Sequence, residues 1–167
     1  KEKKVKSFVY LSSMEAFGKC DNSDKRISED ELGYIDIHNI RSCYSESKRM
    51  CECLCACYAN EYNLEIKIAR LSQIFGAGIL KTENRVFAQF ARSVINNESI
   101  ILHTDGTSWG NYCYTRDAIY AILLILLNGK SQEAYSVVNE STSIMIKDMA
   151  KMLIEKIANN SIELIFD

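Results

Sequence analysis

No stretch of this 167-residue chain is apolar for long enough to cross a bilayer as a helix. The longest run, Ala118 to Leu127, falls well short of the roughly 20 residues a spanning helix needs, and suits a buried helix instead. Excess charge is missing as well. With 20 basic and 22 acidic residues, the net charge of −2 offers no footprint for nucleic acid. The charged start lacks the apolar core of a secretory signal, so the basic cluster Lys1, Lys3, Lys4 and Lys6 is expected at the solvated end of a helix leading into the first strand. These absences predict a cytoplasmic protein with neither a nucleic-acid nor a membrane partner. Proline is absent altogether, a bias that carries no functional reading. Internal repeats and low-complexity linkers are also absent. What remains is globular in composition, 47% hydrophobic and 25% charged, which excludes intrinsic disorder. The length is that of about one domain with a real core.

Seven cysteines raise the question of a metal site or a disulfide framework. Four of them, Cys51, Cys53, Cys55 and Cys57, recur at every second position. Steps of two on a helix turn by about 200°, so these thiols cannot converge on one ion. The odd total disfavours a disulfide framework. They are expected as small buried or half-buried helix residues, and no metal is predicted.

Strand and helix signals alternate along the chain. Ser7 to Leu11 reads as a buried strand, and a polar stretch with turn formers runs from Lys19 to Ser42. A helix is predicted over Tyr44 to Tyr62, a strand over Leu64 to Leu71, and a loop around Gly76 and Gly78. The helix from about Asn84 to Asn97 carries Val86, Phe87, Phe90 and Val94 on one stripe. Short strands are predicted at 100–103 and 111–114, around a turn at Asp105 to Ser108. An apolar helix from Arg116 to Asn128 should stop at Gly129. Ala134 to Val138 is a predicted strand. Ser143 is the predicted N-cap of a helix that turns Ile146, Met149, Ala150, Leu153 and Ile157 inward. A strand over Ser161 to Phe166 closes the pattern. Alternating β and α with continuous apolar strands predicts an α/β protein with a parallel sheet.

One short pattern points to chemistry. Tyr44-Ser-Glu-Ser-Lys48 places a phenol and an ammonium four residues apart, on one helix face. A Tyr-x-x-x-Lys match arises by chance about 0.7 times in a chain with this much Tyr and Lys, so its context decides. That context is Leu11-Ser12-Ser13 at the end of the first strand. A phenol of ordinary pKa, about 10, is a poor base at neutral pH unless a cation stabilises its phenolate, and Lys48 supplies that charge.

In this order, the segments resemble an extended short-chain dehydrogenase/reductase of the NAD-dependent epimerase/dehydratase family, whose members modify nucleotide sugars. Ser12-Ser13-Met14-Glu15-Ala16-Phe17-Gly18 is similar to the family's Ser-Ser/Thr-x-x-Val-Tyr-Gly segment, and Tyr44 and Lys48 match its catalytic pair. Arg70-Leu-Ser-Gln-Ile-Phe-Gly76 resembles the Arg-x-x-Asn-x-Tyr-Gly stretch. Asn84-Arg85-Val86 and Ile101-Leu-His103 resemble segments that hold the nucleotide. Asn111 to Asp117 and Tyr135 to Asn139 resemble later segments of the family.

The resemblance implies a Rossmann-like parallel sheet with a small α/β substrate-binding region. It implies residues 1–75 as the second half of the Rossmann-like domain, and 76–167 as mainly substrate-binding with strands returning to the sheet. It assigns catalysis to Ser13, Tyr44, Lys48 and Glu15, and cofactor contact to Ser12, Tyr44, Lys48 and Leu71. Substrate contact falls to Gln73, Arg85, Val86, His103 and Tyr112. NAD is the implied cofactor, ahead of NADP. A nucleotide-diphosphate sugar is the implied substrate, and a homodimer through the Tyr-Lys helix and the next long helix the implied assembly. Epimerisation through transient hydride transfer is the favoured outcome, with decarboxylation or dehydration as alternatives. A non-catalytic relative that uses the fold for binding is a further alternative.

Departures from the family pattern sharpen these expectations. Met14 stands where dehydratases carry a proton donor, and a thioether cannot donate, which disfavours 4,6-dehydration. Gln73 replaces an Asn. Gly110 occupies a position where an Arg usually binds the substrate phosphates. No strand followed by Gly-x-x-Gly-x-x-Gly occurs, the segment that cradles a dinucleotide pyrophosphate. The sequence therefore predicts the second half of a longer enzyme, bearing its catalytic residues but not its main NAD-binding half.

Overall fold

The structure is a computed structural model, and it describes residues 4–20 and 26–167. Lys1 and Lys3 lie outside the described residues. Lys4 and Lys6 are not helical, and Lys4 has a positive φ of 48°, so the helix expected there does not extend into them.

The chain divides into two compact units. The first comprises residues 1–74 and 113–138. Its centre is a parallel sheet of β1 (Phe8–Ser13), β2 (Ile66–Leu71) and β7 (Ala134–Val137), in the order β1-β2-β7. β1 runs two residues further than its apolar run suggests, so Ser12 and Ser13 belong to the strand. β2 is buried on both faces, as the middle strand of a covered parallel sheet should be. A 3₁₀ turn, Met14–Phe17, follows β1, and α1 (Ser42–Tyr62) supplies the crossover to β2.

Side chains alternate along the strands. Arg70 and Ser12 reach Glu52 of α1, while Val9, Ala69, Leu71 and Val137 pack with Ala118 and Ile125 of α3 (Thr115–Asn128). α1 closes with Asn63 in the left-handed region (φ 49°), its N–H on the Ala59 carbonyl. Gly129 ends α3 as expected but for another reason. Its backbone is extended (φ −65°), and a Cβ there would come within 2.6 Å of the Ile125 carbonyl oxygen.

The second unit comprises residues 75–112 and 139–167. α2 (Val86–Asn96) and α4 (Ile146–Lys156) pack with β4 (Ile100–Leu102) around Phe87, Phe90, Ile100, Leu102, Met149 and Ala150. β4 pairs in parallel with β9 (Leu164–Phe166), and β5 (Trp109–Gly110) pairs antiparallel with β8 (Ile144–Met145). The short strands β3 (Gln73–Phe75) and β6 (Tyr112–Tyr114) stand where the chain passes from one unit to the other.

Two local expectations are corrected. Ser143 does not cap α4; the N-cap is Met145, whose side chain makes no capping bond. The reason is tertiary: the N–H groups of Ile146 and Lys147 donate to the carbonyls of Ser108 and Gly106, so these first-turn donors are already satisfied. Ile157, expected inward, lies just past the helix end and is exposed.

Candidate active site

Ser13, Glu15, Tyr44 and Lys48 lie in the first unit, where three neighbouring elements carry them. Lys48 is anchored by its Nζ, which donates to the Leu11 carbonyl at 3.0 Å. From there the ammonium lies 5.5 Å from the centroid of the Tyr44 ring and 5.3 Å from that of Tyr10. Both distances are within the range of cation–π attraction. One bond to Leu11 leaves two of the three ammonium donors for other partners. Tyr44 itself is about half exposed. Tyr10 is different, because burial and its contact with the Cys51 thiol push its phenol well up, so it presents a neutral ring to the cation.

Ser13 ends β1 and caps the 3₁₀ turn. Its Oγ accepts from the Glu15 N–H at 3.2 Å, which uses a lone pair and leaves the hydroxyl proton available. The Glu15 carboxylate accepts from Ser45 Oγ at 3.1 Å, one residue along from Tyr44. Arg49 clamps this turn onto α1, donating to the carbonyls of Ala16, Phe17 and Gly33. Gly18 completes the turn at φ 67°, and a Cβ there would meet the Tyr34 carbonyl and Arg49.

Ser12 is placed differently from the expectation of a cofactor contact. It is 3% exposed, and its hydroxyl donates to Glu52 Oε1, so any contact of Ser12 with a cofactor falls to its main chain. Glu52 is itself held by a two-pronged bond from Arg70, Nε to Oε1 at 3.1 Å and Nη2 to Oε2 at 2.8 Å. Arg70 also donates through Nη1 to the Glu29 carbonyl and stacks 4.7 Å over the Phe17 ring. Sequence reasoning missed this buried network. The available signal was an acidic residue four positions beyond Lys48, on the stripe that faces the sheet.

Leu71, at the end of β2, is half-buried against the α3 side of the core, and Gln73 opens β3 half-buried. The remaining expected substrate contacts lie in the second unit. Arg85 is the N-cap of α2, exposed, bonded to Glu83 at 2.7 Å and 4.9 Å over the Phe87 ring. Val86 opens the helix and packs on the core. His103 is exposed, with Nδ1 3.1 Å from Asp167. Tyr112 departs from expectation. Its ring is 4% exposed among Phe75 and Phe87, burial raises its phenol, and its OH is buried without a partner among the described residues. The ring supports the unit from within and also lines a cavity with Phe75, Phe87 and Met149. Two of the four alternating cysteines also depart: Cys51 and Cys55 are half-buried, but Cys53 and Cys57 are exposed.

Residues 1–139 match the model of the NAD dependent epimerase/dehydratase family. The chain belongs to that family. UDP-glucuronic acid decarboxylase 3 of Arabidopsis thaliana is 29% identical over 138 residues, covering 81% of this chain and 39% of that protein. dTDP-D-glucose 4,6-dehydratase of Dictyostelium discoideum is 30% identical over 158 residues, covering 92% of this chain and 36% of that one. The chain thus spans well under half the length of these curated relatives. UDP-N-acetylglucosamine 4-epimerase from Methanobrevibacter ruminantium M1, solved in complex with UDP-N-acetylmuramic acid, shares the fold. Its TM-score is 0.82 at 18% identity, covering 98% of this chain and 50% of that chain. The α/β fold with its parallel sheet is therefore the Rossmann-like fold of this family. Among the described residues no helix is long and apolar enough to cross a membrane.

Proposed function

We propose that the protein to which this chain belongs modifies a nucleotide-diphosphate sugar by transient oxidation, with epimerisation as the favoured outcome. The observation that carries this reading is the Lys48 ammonium fixed on Leu11 and lying over the Tyr44 ring. Tyr44 takes a proton from a sugar hydroxyl, and the adjacent positive charge stabilises the phenolate that does so. Ser13, with its proton available, hydrogen-bonds the same sugar oxygen and orients it. The two uncommitted donors of Lys48 fit the ribose end of a dinucleotide, with the main chain of Ser12 and the side chain of Leu71 alongside. NAD, when bound, supplies a reversible hydride acceptor. NAD rather than NADP is the proposed form. The sequence has no glycine-rich pyrophosphate cradle, so no residue of this chain is assigned to that part of the cofactor.

For the nucleotide we assign contacts to Arg85, Val86 and His103, and for the sugar a contact to Gln73. An epimerase needs no further acid or base, because the sugar is oxidised and then reduced again from its other face. Decarboxylation is the second reading. It is favoured by Glu15, which Ser45 holds one residue away from Tyr44 as a candidate base.

The test is a panel of UDP-, GDP-, dTDP- and CDP-sugars incubated with the full-length protein and NAD, with products read by mass and NMR. Epimerisation leaves the mass unchanged, whereas decarboxylation lowers it by the mass of carbon dioxide. Tyr44→Phe should cost at least a hundredfold in turnover. Full activity in that variant would rule the mechanism out.

A further inference from the structure

A buried carboxylate lies on the same helix stripe as the proposed Lys48 ammonium. Glu52 follows Lys48 by four residues on α1, the spacing at which Lys and Glu side chains meet on a helix. Nothing in α1 alone would keep them apart. Yet Lys48 donates to Leu11, and both oxygens of Glu52 are taken, one by Ser12 and Arg70 Nε, the other by Arg70 Nη2. Glu52 is 9% exposed and Arg70 4%, so this carboxylate, if released from Arg70, would be a buried charge seeking a cation.

We propose that Arg70, assisted by Ser12, is a positioning residue for Lys48: by occupying Glu52 it keeps the carboxylate from drawing the ammonium off Leu11 and the Tyr44 ring. The inference rests on the catalytic reading of Tyr44 and Lys48 given above. The ionisable groups that contacts among the described residues place around Lys48, Glu52 and Arg70 are consistent with it. They include Glu29, whose carboxylate accepts from the Ser136 N–H and lies in the field of Arg70. The others are Tyr10 on β1, Glu15 on the 3₁₀ turn and Arg70 on β2, with Tyr44, Arg49, Cys51, Cys55 and Glu52 on the helix itself. Glu15 is occupied by Ser45 and Glu29 by the Ser136 N–H, while Glu52 is the acid four residues from Lys48 on the same helix, the competitor that must be restrained.

The test compares Arg70→Met, Arg70→Gln and the double variant Glu52→Gln/Arg70→Met in the full-length protein, by crystal structure and by kinetics. In Arg70→Met the Lys48 Nζ should leave the Leu11 carbonyl for Glu52, and kcat should fall at least tenfold with KM for the sugar nucleotide within about twofold. The double variant, with no buried charge left over, should return Lys48 to Leu11 and restore most of kcat. A merely structural role predicts no such rescue, since the double variant still lacks the fork. If Arg70→Met does not fold, Arg70→Gln carries the same readout, because a neutral amide can hydrogen-bond the Glu52 carboxylate but leaves it without a cation. Lys48 still on Leu11 in the folded single variants, or a folded double variant that stays slow, would overturn the proposal. A wild-type protein that turns over no sugar nucleotide would sink the functional reading instead, and the crystal structures would still decide where Lys48 goes.

Discussion

Gly110 and Tyr112 are two residues apart, and each explains the other. A Cβ on Gly110 would lie 2.8 Å from the Tyr112 hydroxyl oxygen and 2.9 Å from its ring. Gly110→Ala should therefore destabilise the second unit by about 1–3 kcal/mol, the usual cost of overpacking, read by thermal unfolding. Tyr112→Phe should cost nothing and gain up to about 1 kcal/mol, because it removes a buried hydroxyl that has no partner among the described residues. A Tyr112→Phe variant that lost more than about 1 kcal/mol would mean that the hydroxyl is satisfied after all. The resemblance sets Gly110 where the family usually has an Arg, but does not say why a glycine stands there. The reason is a contact between a backbone and a ring that no motif encodes. Tyr44 and Lys48 were legible as neighbours for the opposite reason, since helical spacing sets them on one face, whereas the bond that anchors Lys48 on Leu11 was not legible.

Among the elements, β7 depends on a residue far away in sequence. The Glu29 carboxylate accepts from the Ser136 N–H at 3.0 Å, while the Glu29 carbonyl accepts from Arg70. Burial alone would raise the Glu29 carboxyl, but the bonds from Ser136 and the Arg70 guanidinium outweigh it and hold the carboxyl below the usual range. A depressed carboxyl contributes stability above its unfolded pKa, about 4.3, and that contribution is lost as pH falls through the lower folded value. Glu29→Gln should accordingly be less stable than the parent at pH 7, and the gap should close as the pH falls below about 4. Parallel denaturation curves at pH 7 and pH 3 would refute this. Such a link was illegible in a polar stretch that reads as turn formers and acidic clusters, with nothing to say which carboxylate meets a distant strand. The same limit applies to α4, whose apolar stripe was visible while its start was not. Backbone carbonyls at Gly106 and Ser108 took over the capping that Ser143 was expected to provide.

For the molecule as a whole, alternating strand and helix signals made the parallel α/β sheet readable, although β1, expected as a buried strand, exposes Phe8 and Leu11, and β2 buries Lys67 and Arg70 among its apolar residues. The division into two units was less readable, since each unit draws on two separate stretches of chain. Assembly is the property on which the surface bears most directly. Met50, Leu54 and Tyr58 follow one another at four-residue steps on α1, and they are 61%, 47% and 53% exposed. A row of large apolar side chains along the helix that carries Tyr44 and Lys48 suits the proposed homodimer, in which a second copy covers it. The full-length protein should then sediment as a dimer at micromolar concentration. Leu54→Asp should shift it to monomer without lowering the intrinsic stability of the fold by more than about 0.5 kcal/mol, because the side chain is a surface one. The order of these two effects matters. Dissociation with the fold intact supports the interface, whereas a wild-type monomer, or a Leu54→Asp variant that remains dimeric, removes α1 from it.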